Sequence, residues 1–178
     1  MASSFLLPLI SRAELIDSFH STIEVQSDGS FSVTENIEYD FGDLDKHGMY
    51  RYIPIIHPQP TEHWYTERYM DITVTEVLMD GETVPYEVTD EPARLFVKIG
   101  DPQATISGKH SYTIAYNVIG GLSFYVNGGA ELYWNATGHD WGIPIRAAEV
   151  VLIDPEGVLA SQRACYFGLP GETRTCQK

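Results

Sequence analysis

Residues 21–41, STIEVQSDGSFSVTENIEYDF, contain the sequence pattern that decides the fold class. An Asp28-Gly29 pair, both members of which tolerate the positive φ angles of tight hairpin turns, separates two runs of alternating residues. The apolar members of these runs are Ile23, Val25, Phe31, Val33, Ile37, Tyr39 and Phe41. Since apolar and polar side chains alternate with a period of two in a half-buried strand, the segment is predicted to form a β-hairpin.

Similar alternation recurs along the rest of the chain. It is found in RYMDITVTEVLMDGETVPYEV (68–88), ARLFVKIGD (93–101), HSYTIAYNV (110–118) and RAAEVVLI (146–153). No segment of ten or more residues shows the period of an amphipathic helix. Eight to ten short strands separated by turn residues predict an all-β fold, namely an antiparallel β-sandwich, immunoglobulin-like or related, with long irregular loops.

The composition is that of an ordinary globular protein. The 178 residues are 43% hydrophobic, which is enough to build a core, and one domain is expected over residues 14–178. The net charge is −14, from 25 acidic and 11 basic residues. Because such a surface repels phosphate backbones and anionic headgroups, nucleic acid is not expected as a partner.

The N-terminus has the features of the end of a secretory signal peptide. The apolar run FLLPLISRAEL (5–15) contains the small residues Ser11 and Ala13, which are typical of a cleavage region. Residues 1–13 are therefore predicted to be a signal-peptide remnant or a cloning scar. The alternative is a hydrophobic first strand or helix of the fold.

Two cysteines, Cys165 and Cys176, flank the Pro- and Gly-containing segment YFGLPGETRT. Because two cysteines at this spacing fit no zinc knuckle, a disulfide bond between them is predicted. Disulfide bonds persist in oxidising compartments. Together with the signal-like N-terminus, the cysteines indicate an extracytoplasmic location, at the cell surface or in the periplasm.

One residue of the hairpin breaks its apolar parity. Glu35 occupies an odd position, among side chains that are expected to point into the core. An unpaired buried carboxylate costs several kcal/mol, so we expect a bidentate bridge from Glu35 to Arg51 in the segment MYRYIP. The alternative is a β-bulge that turns Glu35 outward to water.

The segment ELYWNATGHDWGIPI (131–145) concentrates aromatic and polar side chains. In a regular strand Trp134 and Asn135 point to opposite faces, so one interpretation is that Trp134 packs in the core while Asn135 forms a tight turn. A second interpretation is an exposed binding surface, whose candidate residues are Tyr50, Tyr133, His139, Asp140 and Trp141. The third is an acid and base pair of Glu131 and Asp140, as in glycosidases.

Motifs for other chemistry are absent from the sequence. There is no GxSxG nucleophile motif and no glycine-rich phosphate loop, and the histidines show neither HxH nor HExxH spacing. The acidic turn that begins at Asp43 has the start of a calcium-loop spacing, but its twelfth position is Pro54 rather than glutamate. No catalytic residue, metal ion or cofactor is therefore predicted.

Several blocks of the chain carry a family resemblance. The two main blocks are GMYRYIP (48–54) and ELYWNATGHDWGIPI (131–145), supported by IEVQSDGSFSVTENI (23–37), IGDPQATISGKHSYTIAY (99–116) and the C-terminal cysteine pair. In this order the chain resembles the bacterial predicted membrane proteins catalogued as domain of unknown function 2207. The resemblance implies an extracytoplasmic N-terminal domain, delivered by a signal peptide and followed by transmembrane helices after residue 178. It implies no activity.

These observations favour an interaction or sensing module of a bacterial membrane protein over an enzyme. The expected partner is a cell-wall, glycan or protein ligand of unknown identity. An enzymatic role stays open in one form, a carbohydrate-active or cell-wall hydrolase that uses carboxylates near the aromatic cluster at 131–141. A binding module needs an exposed aromatic patch or sheet edge, whereas a hydrolase needs a cleft with converging ionisable groups.

Overall fold

The computed structural model describes residues 13–60, 65–125, 128–155, 162–168 and 172–176, with the side chains of 57–60 and 65–67 left out. This part of the chain forms fifteen strands and no helix. The strands are β1 (Leu15–Val25), β2 (Phe31–Asp40), β3 (Met49–Pro54), β4 (Ile56–Pro60), β5 (Tyr65–Tyr69), β6 (Asp71–Met79), β7 (Glu82–Thr83), β8 (Tyr86–Glu91), β9 (Arg94–Ile99), β10 (Lys109–Ile119), β11 (Leu122–Phe124), β12 (Ala130–Leu132), β13 (Ala148–Ile153), β14 (Tyr166–Phe167) and β15 (Arg174–Thr175).

Two main sheets share one apolar core. The large sheet has the order β13-β1-β2-β10-β6-β7, and the small sheet has the order β3-β9-β8. Side chains from β1, β2, β6 and β10 bury one face of the large sheet against Ile53 of β3 and Val97 of β9, both of which are 0% exposed. The all-β class is confirmed, and the two sheets form a sandwich-like arrangement.

The strand count and the strand directions refine the prediction. Ten strands in the described ranges have five residues or more, which agrees with the eight to ten expected. The other five have two or three residues, too few to produce a periodic pattern. The pairings within the described ranges are antiparallel as expected except beside β1, where β13 pairs in parallel and Ile145 forms a parallel bridge with Ile16.

The hairpin at 21–41 forms as predicted. Gly29 has the expected positive φ, at 86°, whereas Asp28 does not and contributes through its carboxylate, which accepts a hydrogen bond from Ser30 N over 2.9 Å. All the predicted apolar positions of β1 and β2 are buried. The register is continuous at Glu35, which pairs with Ser21 on one side and Ile114 on the other, so the alternative of a bulge there is wrong.

Gly48, just before β3, lies beside Gly100, just after β9. Gly48 and Gly100 both have a φ of 135°, a conformation that side chains rarely adopt. A Cβ atom on Gly48 would lie 1.9 Å from the carbonyl oxygen of Ile99, and one on Gly100 would lie 1.8 Å from the carbonyl oxygen of His47. The backbones approach each other here because neither residue has a side chain.

The predicted disulfide is present. Cys165 and Cys176 are bonded, and Cys176 N donates to the carbonyl oxygen of Cys165 over 3.1 Å. Between them β14 and β15 pair in antiparallel register. The predicted signal-peptide remnant at 1–13 lies outside the described residues except for Ala13. The expectation of one domain over 14–178 stays a prediction.

Candidate functional site

A buried ion pair joins the two sheets within the core. Glu35 of β2 is 0% exposed and Arg51 of β3 is 1% exposed. Arg51 Nε donates to Glu35 Oε2 over 2.7 Å, and Nη2 donates to Oε1 over 2.6 Å. The structure thus contains the bidentate contact expected from the inward parity of Glu35, because the planar guanidinium matches both carboxylate oxygens.

Further hydrogen bonds complete this network. The Tyr116 hydroxyl donates to Glu35 Oε1 over 2.7 Å, and Arg51 Nη1 donates to the carbonyl oxygen of Tyr52 over 2.6 Å. Burial opposes the charged guanidinium, but the Glu35 carboxylate outweighs burial and raises the pKa of Arg51. Burial, together with the same carboxylate, raises the pKa of Tyr116 well above its ordinary value. Arg51 is therefore charged and Tyr116 neutral at physiological pH.

The raised pKa of Tyr116 predicts a loss of stability at alkaline pH. The folded state favours the neutral phenol, whereas a tyrosine in the unfolded chain ionises near pH ~10, so this contribution is complete below that pH and is lost above it. Between the unfolded and the folded pKa of such a phenol, each unit by which the pH rises lowers the free energy of unfolding by about 1.4 kcal/mol. Urea denaturation between about pH 8 and 11 should show a smaller loss for Tyr116→Phe than for the unsubstituted protein. Equal losses would contradict the assignment.

The segment 135–141 closes over Arg51. The carbonyl oxygen of Ala136 accepts a hydrogen bond from Arg51 Nη2 over 3.3 Å. Arg51 Cζ lies 5.5 Å from the ring centroid of Phe19 and 5.6 Å from that of Trp141. The Phe19 and Trp141 rings also contact each other edge to face, with centroids 6.1 Å apart. Trp141 therefore covers the buried guanidinium by a cation–π contact and is only partly exposed.

The structure places Trp134 against the core and Asn135 in a turn. The Trp134 ring packs edge to face on Phe31 at 5.2 Å and lies 6.3 Å from Tyr116, measured between centroids. Asn135 Oδ1 accepts a hydrogen bond from Gly138 N over 3.1 Å, and Gly138 has a φ of 73°. These contacts match the core and turn positions expected from the opposite parity of the two residues.

A depression of about 180 Å³ lies beside Trp134. Its described lining residues are Pro54, Ile56, Met70, Tyr133, Trp134, Asn135 and His139. The Asn135 amide nitrogen lies 2.9 Å from His139 Nδ1, so these two polar side chains hold each other in position. Among the described lining residues there is no carboxylate, lysine or arginine. The site is therefore suited to an uncharged group that presents both an apolar face and hydrogen-bonding atoms.

The five candidate binding residues do not all line the depression. Tyr133 and His139 line the depression, whereas Tyr50, Asp140 and Trp141 are not among its described lining residues. Tyr133 is 60% exposed and Tyr50 is 55% exposed, while Trp141 is partly buried. The sequence thus pointed to two residues of the depression through the aromatic cluster.

Three other lining residues were missed by the sequence analysis. Pro54 ends β3, Ile56 begins β4, and Met70 lies between β5 and β6. Hydrophobic periodicity assigns faces within one strand and does not relate residues of different strands. Only the fold brings these residues to the aromatic segment.

Tyr50 belongs to a separate row of side chains on the small sheet. Its ring centroid lies 5.4 Å from that of Phe96, which in turn stacks on Tyr52 at 5.0 Å. Arg94 Cζ lies 4.1 Å from the Tyr52 centroid, and Arg94 Nη1 lies 3.4 Å from Asp140 Oδ2. The Phe96 and Tyr52 rings stack on each other, and Arg94 contacts both the Tyr52 ring and Asp140. This row therefore holds the segment that contains Asp140, and few of its ring faces are open to a ligand.

The expected acid and base pair has no support in this geometry. Glu131 accepts a hydrogen bond from the Tyr125 hydroxyl, which raises the pKa of that phenol, while Asp140 pairs with Arg94. Neither carboxylate is among the described lining residues of the depression. Within the described ranges, no three or more His, Cys, Asp or Glu side chains are grouped so that they could hold a metal ion.

These features define a structural class: a disulfide-containing all-β domain of sandwich-like architecture with a small uncharged depression at its surface. The chain belongs to the family described as predicted membrane protein (DUF2207) N-terminal domain, whose model matches residues 15–174. The resemblance found in the sequence is thereby confirmed. None of the residues described by the structure belongs to a helix with the length and apolarity needed to cross a bilayer.

Solved structures show only distant likeness. An M1 zinc metallopeptidase from Deinococcus radiodurans is similar at 8% identity and a TM-score of 0.37, covering 60% of this chain and 20% of its own. A two-domain M1 zinc metallopeptidase variant bound to L-arginine has 9% identity and a TM-score of 0.46, covering 85% of this chain and 35% of its own. Leukotriene A4 hydrolase from Saccharomyces cerevisiae has 13% identity and a TM-score of 0.39, covering 58% and 15%. No curated protein matches the sequence.

Proposed function

We propose that this chain is an extracytoplasmic recognition domain of a membrane protein and that it binds a neutral glycan in the depression beside Trp134. The observation that carries the proposal is the composition of the described lining, which combines Trp134, Tyr133, Asn135 and His139 without any carboxylate, lysine or arginine. Membrane association follows from the family. The extracytoplasmic side is supported by the disulfide, since disulfides persist in oxidising compartments.

The chemistry of the lining favours a neutral sugar over a charged ligand. A charged group would lose its hydration on entering the depression and would meet no opposite charge among the described lining residues, which is costly. A sugar ring, by contrast, presents C–H faces to aromatic side chains and hydroxyl groups to the Asn135 amide and the His139 imidazole. Drug-sized ligands need cavities of about 300 Å³ or more, so a depression of about 180 Å³ fits one sugar ring.

The proposal does not extend to hydrolysis. Glycoside hydrolysis needs two carboxyl groups that flank the scissile bond. The described lining of the depression has none, and the two carboxylates of the nearby segment, Glu131 and Asp140, each contact another side chain. We therefore propose binding without turnover.

The proposal predicts that substitutions in the lining weaken glycan binding. Tyr133→Ala and His139→Ala should each lower the affinity for a neutral oligosaccharide about tenfold, equivalent to about 1.4 kcal/mol, because each removes a contact surface or a hydrogen bond. Trisaccharides of N-acetylglucosamine and of glucose serve as probes, and isothermal titration calorimetry measures the dissociation constant.

Tyr86→Ala provides the matched control for these variants. Tyr86 on β8 is 44% exposed and is not among the described lining residues, so its removal should leave the affinity unchanged. Thermal denaturation of each variant checks that the fold is intact. The proposal fails if neither trisaccharide binds, or if Tyr133→Ala and Tyr86→Ala bind equally well.

A further inference from the structure

One end of the large sheet carries a group of exposed, large apolar side chains. This aromatic end consists of Tyr69, Ile119, Phe124 and Tyr125, which are 63%, 61%, 62% and 45% exposed. The register places Tyr69 and Ile119 near each other, since Ile119 at the end of β10 pairs with Asp71, the first residue of β6, two positions after Tyr69. The Phe124 ring lies against Gly29 of the β1–β2 turn, where an added Cβ would approach it to 2.9 Å.

The chain leaves the large sheet at this same end. Because β13 runs parallel to β1, Ile153 at the end of β13 lies beside Glu24, just before the β1–β2 turn. Asp154 then forms an ion pair with Arg163, so the chain is still close to this end ten residues after Ile153. The disulfide-closed hairpin of β14 and β15 begins two residues later.

That hairpin adds two further exposed aromatic side chains. Tyr166 is 61% exposed and Phe167 is 52% exposed. Five of the six large side chains in the hairpin and the aromatic end are tyrosine or phenylalanine. Aromatic residues of this kind are enriched where proteins meet the interface between lipid and water, because an apolar ring enters the headgroup region while a phenol hydroxyl stays hydrated.

We propose that the aromatic end rests on the outer headgroup region of the bilayer in which the protein is anchored. The inference rests on the proposed function, in which this domain belongs to a membrane protein, and on the family description as an N-terminal domain, from which we infer an anchor after it. It is independent of glycan binding. The chain leaves the large sheet toward its C-terminus at the aromatic end, so a following anchor brings that end, rather than the Gly48 and Gly100 end, to the lipid.

The charge of the domain specifies the kind of lipid surface. The net charge is −14, and acidic side chains lie beside this end: Asp71 pairs with Ile119 across the strands, Glu131 accepts a hydrogen bond from the Tyr125 hydroxyl, and Asp154 follows Ile153. A domain with this net charge is repelled by anionic headgroups, so its apolar rings supply the attraction to a lipid surface. The contact should therefore be made with zwitterionic lipid, and anionic lipid should weaken it most at low ionic strength.

The test measures which end of the domain enters a lipid surface. The protein with a C-terminal histidine tag is tethered to phosphatidylcholine vesicles that contain a nickel-chelating lipid. A fluorophore sensitive to polarity is attached at Phe124→Cys on the aromatic end or, as the matched control, at Gln103→Cys, an exposed position beyond β9. Nitroxide-labelled lipids report depth by quenching the fluorophore. Because no glycan is present, the result is independent of the oligosaccharide titrations.

The expected result is a difference between the two positions. Tethering should raise the emission at position 124 about twofold or more and make it quenchable, with little change at position 103. Replacing a third of the phosphatidylcholine with phosphatidylserine should reduce the effect. Tyr69→Ser with Ile119→Ser, in the background of the labelled Phe124→Cys variant, should also reduce it.

Three outcomes would overturn the inference while leaving the membrane anchor itself untouched. One is equal or absent quenching at both positions on tethered protein. Another is stronger quenching at position 103. The last is protection of position 124 by self-association, seen as a concentration-dependent dimer in sedimentation without vesicles, which would assign the aromatic end to a second copy of the chain.

Discussion

Replacing Arg51 by methionine is expected to lower the free energy of unfolding by about 3 to 5 kcal/mol. The substitution fills a similar volume but leaves Glu35, which is 0% exposed, as a buried charge whose guanidinium partner has gone. The two hydrogen bonds of 2.6 and 2.7 Å between these residues are lost together, and so is the contact with the carbonyl oxygen of Ala136. Urea denaturation at neutral pH, followed by circular dichroism, measures the loss.

An exposed arginine provides the control for this substitution. Arg94 also pairs with carboxylates, Glu91 and Asp140, but its side chain is 37% exposed and solvent screens the pairs, so Arg94→Met should cost much less than Arg51→Met. If Arg51→Met costs no more than Arg94→Met, the buried pair does not stabilise the contact between the two sheets.

Removing all the polar groups of the network should recover much of the loss. The triple substitution Glu35→Leu, Arg51→Met and Tyr116→Phe removes both charges of the network and leaves no phenol without its acceptor. Buried ion pairs replaced by apolar residues of similar volume are often neutral or stabilising by about 1 to 4 kcal/mol. The triple variant should therefore be more stable than Arg51→Met alone, and the reverse order would show that the network is worth more than apolar packing.

Gly48→Ala is expected to cost about 4 kcal/mol or more, or to prevent folding. The added Cβ would lie 1.9 Å from the carbonyl oxygen of Ile99, and that oxygen belongs to the backbone of β9. A clash with a flexible side chain could be relieved by a rotamer change, but here a strand must move and the register of β3 with β9 would be disturbed. The φ of 135° adds strain for any residue with a Cβ.

A second glycine separates the clash from the backbone strain. Gly81, in the turn between β6 and β7, has a φ of 81° but nothing within 4 Å of an added Cβ. Gly81→Ala should therefore cost only about 1 to 2 kcal/mol, the penalty of a left-handed conformation. Thermal and urea denaturation of both variants test this difference. Equal costs would mean that the close approach of Gly48 to Ile99 contributes nothing.

The sequence predicted the contacts that depend on strand parity. Side chains in a strand alternate between two faces, so the inward position of Glu35 followed from its neighbours alone, and a buried carboxylate needs a cation. Arg51 was identifiable as that cation because it lies in the short apolar segment MYRYIP. The disulfide was identifiable because the described chain has two cysteines in a short C-terminal segment.

The depression could be predicted only in part. Tyr133 and His139 were identified through the composition of their segment, but Pro54, Ile56 and Met70 come from other parts of the sequence, and no local pattern relates them to that segment. Tyr50 was a candidate for the same surface, whereas in the structure its ring contacts Phe96, in the row that continues through Tyr52 and Arg94. The sequence does not tell which aromatic residues of different segments share a surface.

The sequence by itself therefore determined the all-β class, the hairpin at 21–41, the face occupied by each residue of β2, and the family of the chain. Only the tertiary structure decided that β13 joins β1 in parallel, and that the aromatic end and the exit of the chain coincide. The physical reason is range: alternation is a local property of one strand, whereas pairing between strands more than 120 residues apart depends on how the whole core packs.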